Sequence, residues 1–146
     1  MAALALDDVN LPLSCGQTMT KPSTVGRMVS ALGLVGGERV LEIGCGSGYQ
    51  TAVLARIAGR VTSLDRHSRL VTDARAALGK LRIDPAQTHL GDGREGWAAT
   101  APFDRVIVNA AVSVLPAALA AQAAPGGVIV APLTGERGHR LTLWRA

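Results

Sequence analysis

Aromatic side chains are nearly missing from this sequence: its 146 residues hold two Trp, one Tyr and one Phe. A composition that is 48% apolar must therefore build its core from Ala, Val, Leu and Ile, which suits buried parallel strands covered by helices. The same scarcity leaves no aromatic platform on which bases would stack. The net charge of +4 is spread out. Arg56, Arg60, Arg66, Arg69, Arg75 and Arg82 fall across separate expected helices and turns, with no dense basic run. Solvated helix faces explain them, and a nucleic-acid partner is not expected. Cysteine is equally scarce. Cys15 and Cys45 form neither a disulfide framework nor a zinc pattern, so no metal site is expected and a reduced, cytoplasmic setting is. No apolar run is long enough to span a membrane. The start, Met1 to Leu6, is apolar but lacks a basic stretch, so a leader peptide is not expected either.

What is present is an alternation of strand and helix. Residues 39–43 read as a strand ending in glycines, 49–58 as a helix stopped by Gly59, and 60–65 as a second strand. Residues 68–81 form an amphipathic helix with Leu70, Val71, Ala74, Leu78 and Leu81 on one face. Residues 88–92 read as a third strand and 103–109 as a fourth with a Val-Ile-Val centre. A helix over 115–124 follows, then a Pro-Gly-Gly turn at 125–127 and a fifth strand over 128–132. Residues 140–144 alternate and suit an antiparallel return strand. Such alternation predicts an α/β fold: a doubly wound, mostly parallel sheet of about six strands. One domain is expected, with a lid loop and helix over 1–36 and a Rossmann-like core over 37–146. The helix of the first part begins at Pro22 and turns Val25, Met28, Val29 and Leu32 inward.

A glycine-rich turn closing the first strand of such a sheet is where nucleotide ligands bind. Here it is Glu42-Ile43-Gly44-Cys45-Gly46-Ser47-Gly48. Tyr49 stands where a dinucleotide fingerprint needs its last glycine, and no Gly-Lys-Ser/Thr exists for a phosphate loop. The acid two residues ahead of the first glycine resembles the first motif of Rossmann-like methyltransferases. That ligand, S-adenosyl-L-methionine, is a sulfonium cation without phosphate, beside which an acid is favourable. Asp65 closes the second strand about twenty residues on, where a carboxylate accepts both ribose hydroxyls. Arg66 follows it. Gly91-Asp92-Gly93 closes the third strand and is expected to reach the adenine amino group.

The chain resembles the protein-L-isoaspartate O-methyltransferases from about Leu11 to Trp144. The resemblance rests on Leu11-Pro12-Leu13, on Cys15-Gly16-Gln17-Thr18-Met19-Thr20-Lys21-Pro22, and on Val40 to Ala55 with its Gly46-Ser47-Gly48-Tyr49-Gln50. It returns at Gly91 to Trp97, Ala101-Pro102-Phe103-Asp104 and Pro125-Gly126-Gly127. It implies methylation of a free carboxylate on L-isoaspartyl residues of damaged proteins or peptides, a repair reaction. It implies that Gln17, Thr18 and Met19 lie in a lid over the cofactor, and that Thr20 touches the reacting groups where relatives usually carry Ser. A helix N-cap beside Pro22 is the alternative for Thr20. Cofactor contacts are expected at Gln17, Thr18, Met19, Glu42, Gly44, Cys45, Gly46, Ser47, Gly48, Asp65, Arg66, Gly91, Asp92, Gly93 and Asn109. Asn109-Ala110-Ala111 lacks the prolines and aromatic of amine-methylating enzymes, which favours an oxygen acceptor. The sequence is short at both ends relative to the family pattern, with one return strand instead of two, so an exposed edge and a monomer or weak homodimer are expected. A methyltransferase of this lineage on a small-molecule acceptor, or a non-catalytic cofactor-binding module, remains open at this point.

Overall fold

In the computed structural model, residues 7–83 and 86–146 are described; the apolar start Met1–Leu6 lies outside them. A two-stranded antiparallel hairpin comes first, β1 (Leu11–Pro12) and β2 (Thr18–Met19), with Leu11 opposite Met19. Helix α1 (Pro22–Leu32) follows. The core then alternates β3 (Arg39–Ile43), α2 (Tyr49–Ile57), β4 (Arg60–Asp65), α3 (Ser68–Lys80), β5 (Ala86–Leu90), β6 (Phe103–Val108), α4 (Ala117–Ala121), β7 (Ala123–Gly135) and β8 (Gly138–Arg145). The sheet order is β5-β4-β3-β6-β7-β8. All pairs are parallel except β7 with β8, which close the sheet as an antiparallel hairpin and leave β8 at its edge. The expected doubly wound, mostly parallel sheet is the fold observed.

Strands β3, β6 and β7 carry apolar runs because both faces of the sheet are covered there. On one face Val40, Val61, Ile107 and Val130 pack under Val25, Met28 and Leu32 of α1, Leu54 of α2 and Leu78 of α3. On the other, Leu41, Leu64, Val106 and Ile129 pack with Phe103, Leu119, Trp97 and Trp144. Burying each such Leu or Ile side chain contributes about 1.5–3 kcal/mol relative to exposure.

Three sequence expectations shift. The helix expected over 115–124 spans only Ala117–Ala121. Ala123 instead pairs with Phe103 of β6, and Pro125 holds the residue before it in extended backbone, so the alanine run is recruited into β7. The third strand ends at Leu90 rather than residue 92: its last bond is Gly91 N–H to the Asp65 carbonyl, after which the chain turns. Gly59 does not cap α2 in a left-handed conformation. The cap is Ala58 in extended backbone, and Gly59 is needed for space, since a β-carbon there would meet the backbone of Gly37 at 2.6 Å.

Candidate active site

The carboxyl ends of β3, β4, β5 and β6 open into one cleft, as the crossover at β3 between β4 and β6 requires. The glycine turn is tied down by two amides, Gly44 N–H and Cys45 N–H, both donating to the Leu64 carbonyl at 2.7 and 3.0 Å. Gly44 has φ 89° and Gly46 φ 51°, backbone that glycine adopts at little cost. A β-carbon at Gly44 would press on Asn109 at 3.3 Å, and one at Gly46 on Leu13 of the lid at 3.2 Å. The turn is therefore closely covered from both sides.

The cleft consists of two adjoining hollows of about 510 and 1580 Å³, counted to their open mouths, which share Gln17, Gly44, Asp65 and Asn109. Gln17, Thr18, Met19 and Thr20 roof the inner hollow, opposite Gly44, Cys45, Gly46 and Ser47. Arg66, Gly91, Asp92 and Gly93 line the outer one, with Val112, Pro116 and Leu119 as its apolar wall. Fourteen candidate residues thus fall within one cleft or its rim, Thr20 among them, and two fall elsewhere.

Of those two, Glu42 is fully buried under α2 and touches neither hollow. Its carboxylate accepts from Thr51 Oγ1 at 2.5 Å, Ser63 Oγ at 2.6 Å and Asn109 Nδ2 at 3.2 Å. Burial pushes its pKa up to about 7 against these hydrogen bonds. The expected direct contact with ligand gives way to a positioning role from beneath. Gly48 likewise sits behind the cleft as the N-cap of α2, at φ 81°, where a β-carbon would meet Ala74 of α3 at 3.3 Å.

Asp65 lines both hollows. Its Oδ2 accepts Gly46 N–H at 3.2 Å and its Oδ1 accepts His67 N–H at 3.0 Å. Each oxygen of a carboxylate has two acceptor sites, so Oδ1 retains one for a further donor, while the second site of Oδ2 meets only the weakly donating Cys45 thiol. Asp65 is also the sole charged side chain among the described residues lining the inner hollow. Cys45 Sγ lies 3.9 Å from Asp65 Oδ2. Burial, with Asp65 and Glu42 nearby, pushes that thiol up to about 12, so it stays protonated and is no nucleophile. Asp92 at the outer rim is paired with Arg94 at 2.6 Å, and hydrogen bonds from Arg94 hold its carboxyl down at about 2. Asn109 donates to the Gly44 carbonyl and to Glu42, and accepts from Gln50 Nε2 at 2.8 Å, so its amide locks the turn.

Sequence reasoning missed Leu13, Tyr49, Gln50 and Leu70 in the inner hollow and Arg94 at the outer rim. Tyr49 and Gln50 had a signal in the Gly-Tyr-Gln step, and Leu13 in the Leu-Pro-Leu element; Leu70 looks like any core leucine. Among the described residues no group of three His, Cys, Asp or Glu side chains is placed to hold a metal, and no helix is long and apolar enough to cross a membrane.

Comparison with known proteins converges on this architecture. The family model described as protein-L-isoaspartate(D-aspartate) O-methyltransferase matches residues 1–145. A protein-L-isoaspartate O-methyltransferase of Xanthobacter autotrophicus is 49% identical over 129 residues, 88% of this chain and 59% of the relative. One from Anaeromyxobacter dehalogenans is 50% identical over 134 residues, covering 91% and 64%. The chain thus spans about three fifths of the length of the curated relatives it matches. A solved protein-L-isoaspartate O-methyltransferase superposes with a TM-score of 0.89 at 26% identity, covering 99% of this chain and 49% of the other. A Plasmodium falciparum structure, titled as a putative protein-L-isoaspartate O-methyltransferase in complex with S-adenosyl-L-homocysteine, shares the fold at a TM-score of 0.77 and 22% identity, covering 95% and 76%. With sequence match along nearly its whole length and the glycine turn, Asp65 and residues 17–20 in one cleft, this chain belongs to the protein-L-isoaspartate(D-aspartate) O-methyltransferase family.

Proposed function

We propose that this chain is an S-adenosyl-L-methionine-dependent O-methyltransferase whose acceptor is a carboxylate, that of L-isoaspartyl residues in damaged proteins or peptides. The observation that carries the ligand class is the inner hollow: a glycine turn facing one buried carboxylate, with no cationic side chain among its described lining residues. A phosphate would meet Asp65 there without a counter-charge, whereas a sulfonium or an ammonium gains from it. The acceptor capacity left on Asp65, contested only by the weak Cys45 thiol at Oδ2, suits a pair of ribose hydroxyls, and the apolar wall of the outer hollow suits a purine ring.

When bound, S-adenosyl-L-methionine supplies an electrophilic methyl group on its sulfonium. The chain's own part is positioning. Gly44 and Gly46 bring backbone close to the ligand, Asp65 orients it, and Gln17 to Thr20 cover it from water. An isoaspartyl carboxylate is already ionised at neutral pH, so no general base is required. This agrees with a cleft that presents Thr20, a hydroxyl donor, on its roof. N-capping of α1 does not engage Thr20, because Asp8 and Asn10 accept the amides at that helix start.

The test is labelled methyl transfer to an isoaspartyl peptide and its normal aspartyl counterpart, side by side. Base-labile label on the isoaspartyl peptide alone is expected. Tight S-adenosyl-L-homocysteine binding without transfer to that peptide would exclude it as the acceptor. Thr20→Val should lower kcat by about tenfold, as for loss of one hydrogen bond in the transition state, while leaving cofactor affinity intact. An equal loss in both would place Thr20 outside the acceptor site.

A further inference from the structure

The lid over the inner hollow is a loop that leaves and re-enters the structure beside one point, the start of α1. Helix α1 supplies no cap of its own: Lys21 occupies the N-cap position without a side-chain bond. The exposed amides are met from upstream. Asp8 accepts Ser23 N–H on Oδ1 at 2.8 Å and Ser23 Oγ–H on Oδ2 at 2.9 Å, and Asn10 Oδ1 accepts Lys21 N–H at 2.9 Å. Between these anchors lies the whole β1–β2 hairpin. Its tip bears Leu13 against Gly46, and its return strand carries Thr18 and Met19 into the roof.

We infer that Asp8 and Asn10 are positioning residues for the active site: by capping α1 across the lid they fix both ends of the hairpin and hold it closed on the ligand cleft. Neither residue lines either hollow, so the effect runs through backbone placement. Hydrogen bonds rather than net charge carry it. The accompanying ion pair of Asp8 with Lys21, at 3.3 Å, joins two half-exposed side chains and adds little. An N-cap engages the helix only when its oxygen faces the first-turn amides. That requirement fixes residues 8–10 relative to α1, and α1 is anchored in the core through Val25, Met28 and Leu32. The lid thereby inherits the rigidity of the sheet. This inference rests on the cofactor reading for its ligand assay but not for its measurement on the free protein.

The test uses the 146-residue chain and two variants, Asp8→Ala/Asn10→Ala and Asp8→Asn. Amide hydrogen exchange in the free protein reads the lid through Leu13 N–H, which donates to the Gln17 carbonyl at 2.8 Å, and reads α1 through Met28 to Leu32. The double variant should lose about tenfold protection at Leu13, with the interior of α1 unchanged, and release S-adenosyl-L-homocysteine about tenfold faster. Asp8→Asn keeps an acceptor oxygen and should stay near wild type in both. Unchanged protection at Leu13, or a loss shared equally by the interior of α1, would overturn the inference. Failure of the wild type to bind S-adenosyl-L-homocysteine would count against the cofactor reading alone, because the exchange experiment needs no ligand.

Discussion

Asp65→Ala should weaken S-adenosyl-L-methionine binding by at least about 100-fold. The carboxylate stands at the end of β4, nearly buried, with each oxygen already oriented by one backbone amide, from Gly46 and from His67. Its remaining acceptor sites are therefore aimed before a ligand arrives. Two charge-assisted hydrogen bonds to a ligand's hydroxyls are worth roughly 1.5–3 kcal/mol each, and every 1.4 kcal/mol is about tenfold in affinity. The variant also removes the sole charge among the described residues of the inner hollow, so the attraction for a cationic ligand falls as well. Asp65→Asn keeps the shape but turns one acceptor into a donor, next to an amide that already donates. An intermediate loss of about tenfold is expected there. Calorimetric titration reads both, and a folded Asp65→Ala protein with unchanged affinity would remove Asp65 from the ligand site.

The core strands were legible because a parallel sheet covered on both faces leaves uninterrupted apolar runs. Val40-Leu41 and Val106-Ile107-Val108 are such runs, and they fall within β3 and β6 as expected. Glycines at a strand's end and Asp65 were legible because they close consecutive strands on the carboxyl edge of the sheet, where such folds place their ligand sites. Contacts between segments distant in sequence were not. Nothing local distinguishes Asp8 and Asn10 from loop residues, since their partners lie fifteen and eleven positions away. Pro125 locally disfavours helix at Ala124, but nothing local ends the 115–124 run as early as Ala121, because the competing partner is Phe103 in another strand.

The direction of Glu42 is the most instructive of these. An acid beside a glycine turn invites a ligand contact, and alternation along β3 cannot correct this, because both faces of that strand are buried. The answer lies in the register. Glu42 pairs with Ser63 on β4, and both lie under Thr51 of α2. Three polar residues from three elements thus enclose the acid, and through Asn109 it holds Gly44 and Gln50 in place.

That burial makes Glu42 a group whose ionisation costs stability as pH rises towards neutrality, whereas His89, whose pKa burial lowers, acts in the opposite sense below its ordinary 6.5. Its folded pKa is raised from 4.5 to about 7. A carboxyl that is harder to ionise when folded binds its proton more tightly in the native state than in the unfolded chain. Stability is then greatest below the unfolded value and falls as pH rises from 4.5 towards 7. At about 1.4 kcal/mol per unit of pKa, Glu42 removes roughly 3 kcal/mol across that window. Asp92, held down at about 2, acts only below its ordinary value of 3.8 and leaves this window untouched. Glu42→Gln copies the protonated acid: it accepts from Asn109 with its oxygen and donates to a hydroxyl with its amide. The variant should therefore match wild type near pH 4 and exceed it by roughly 3 kcal/mol near pH 8 in urea denaturation. Glu42→Ala should be less stable at both, by about 3 kcal/mol or more, since it opens a cavity and strands three donors. Parallel profiles for wild type and Glu42→Gln would mean that Glu42 stays ionised in the folded protein. The hydroxyls of Thr51 and Ser63 and the amide of Asn109 would then outweigh its burial.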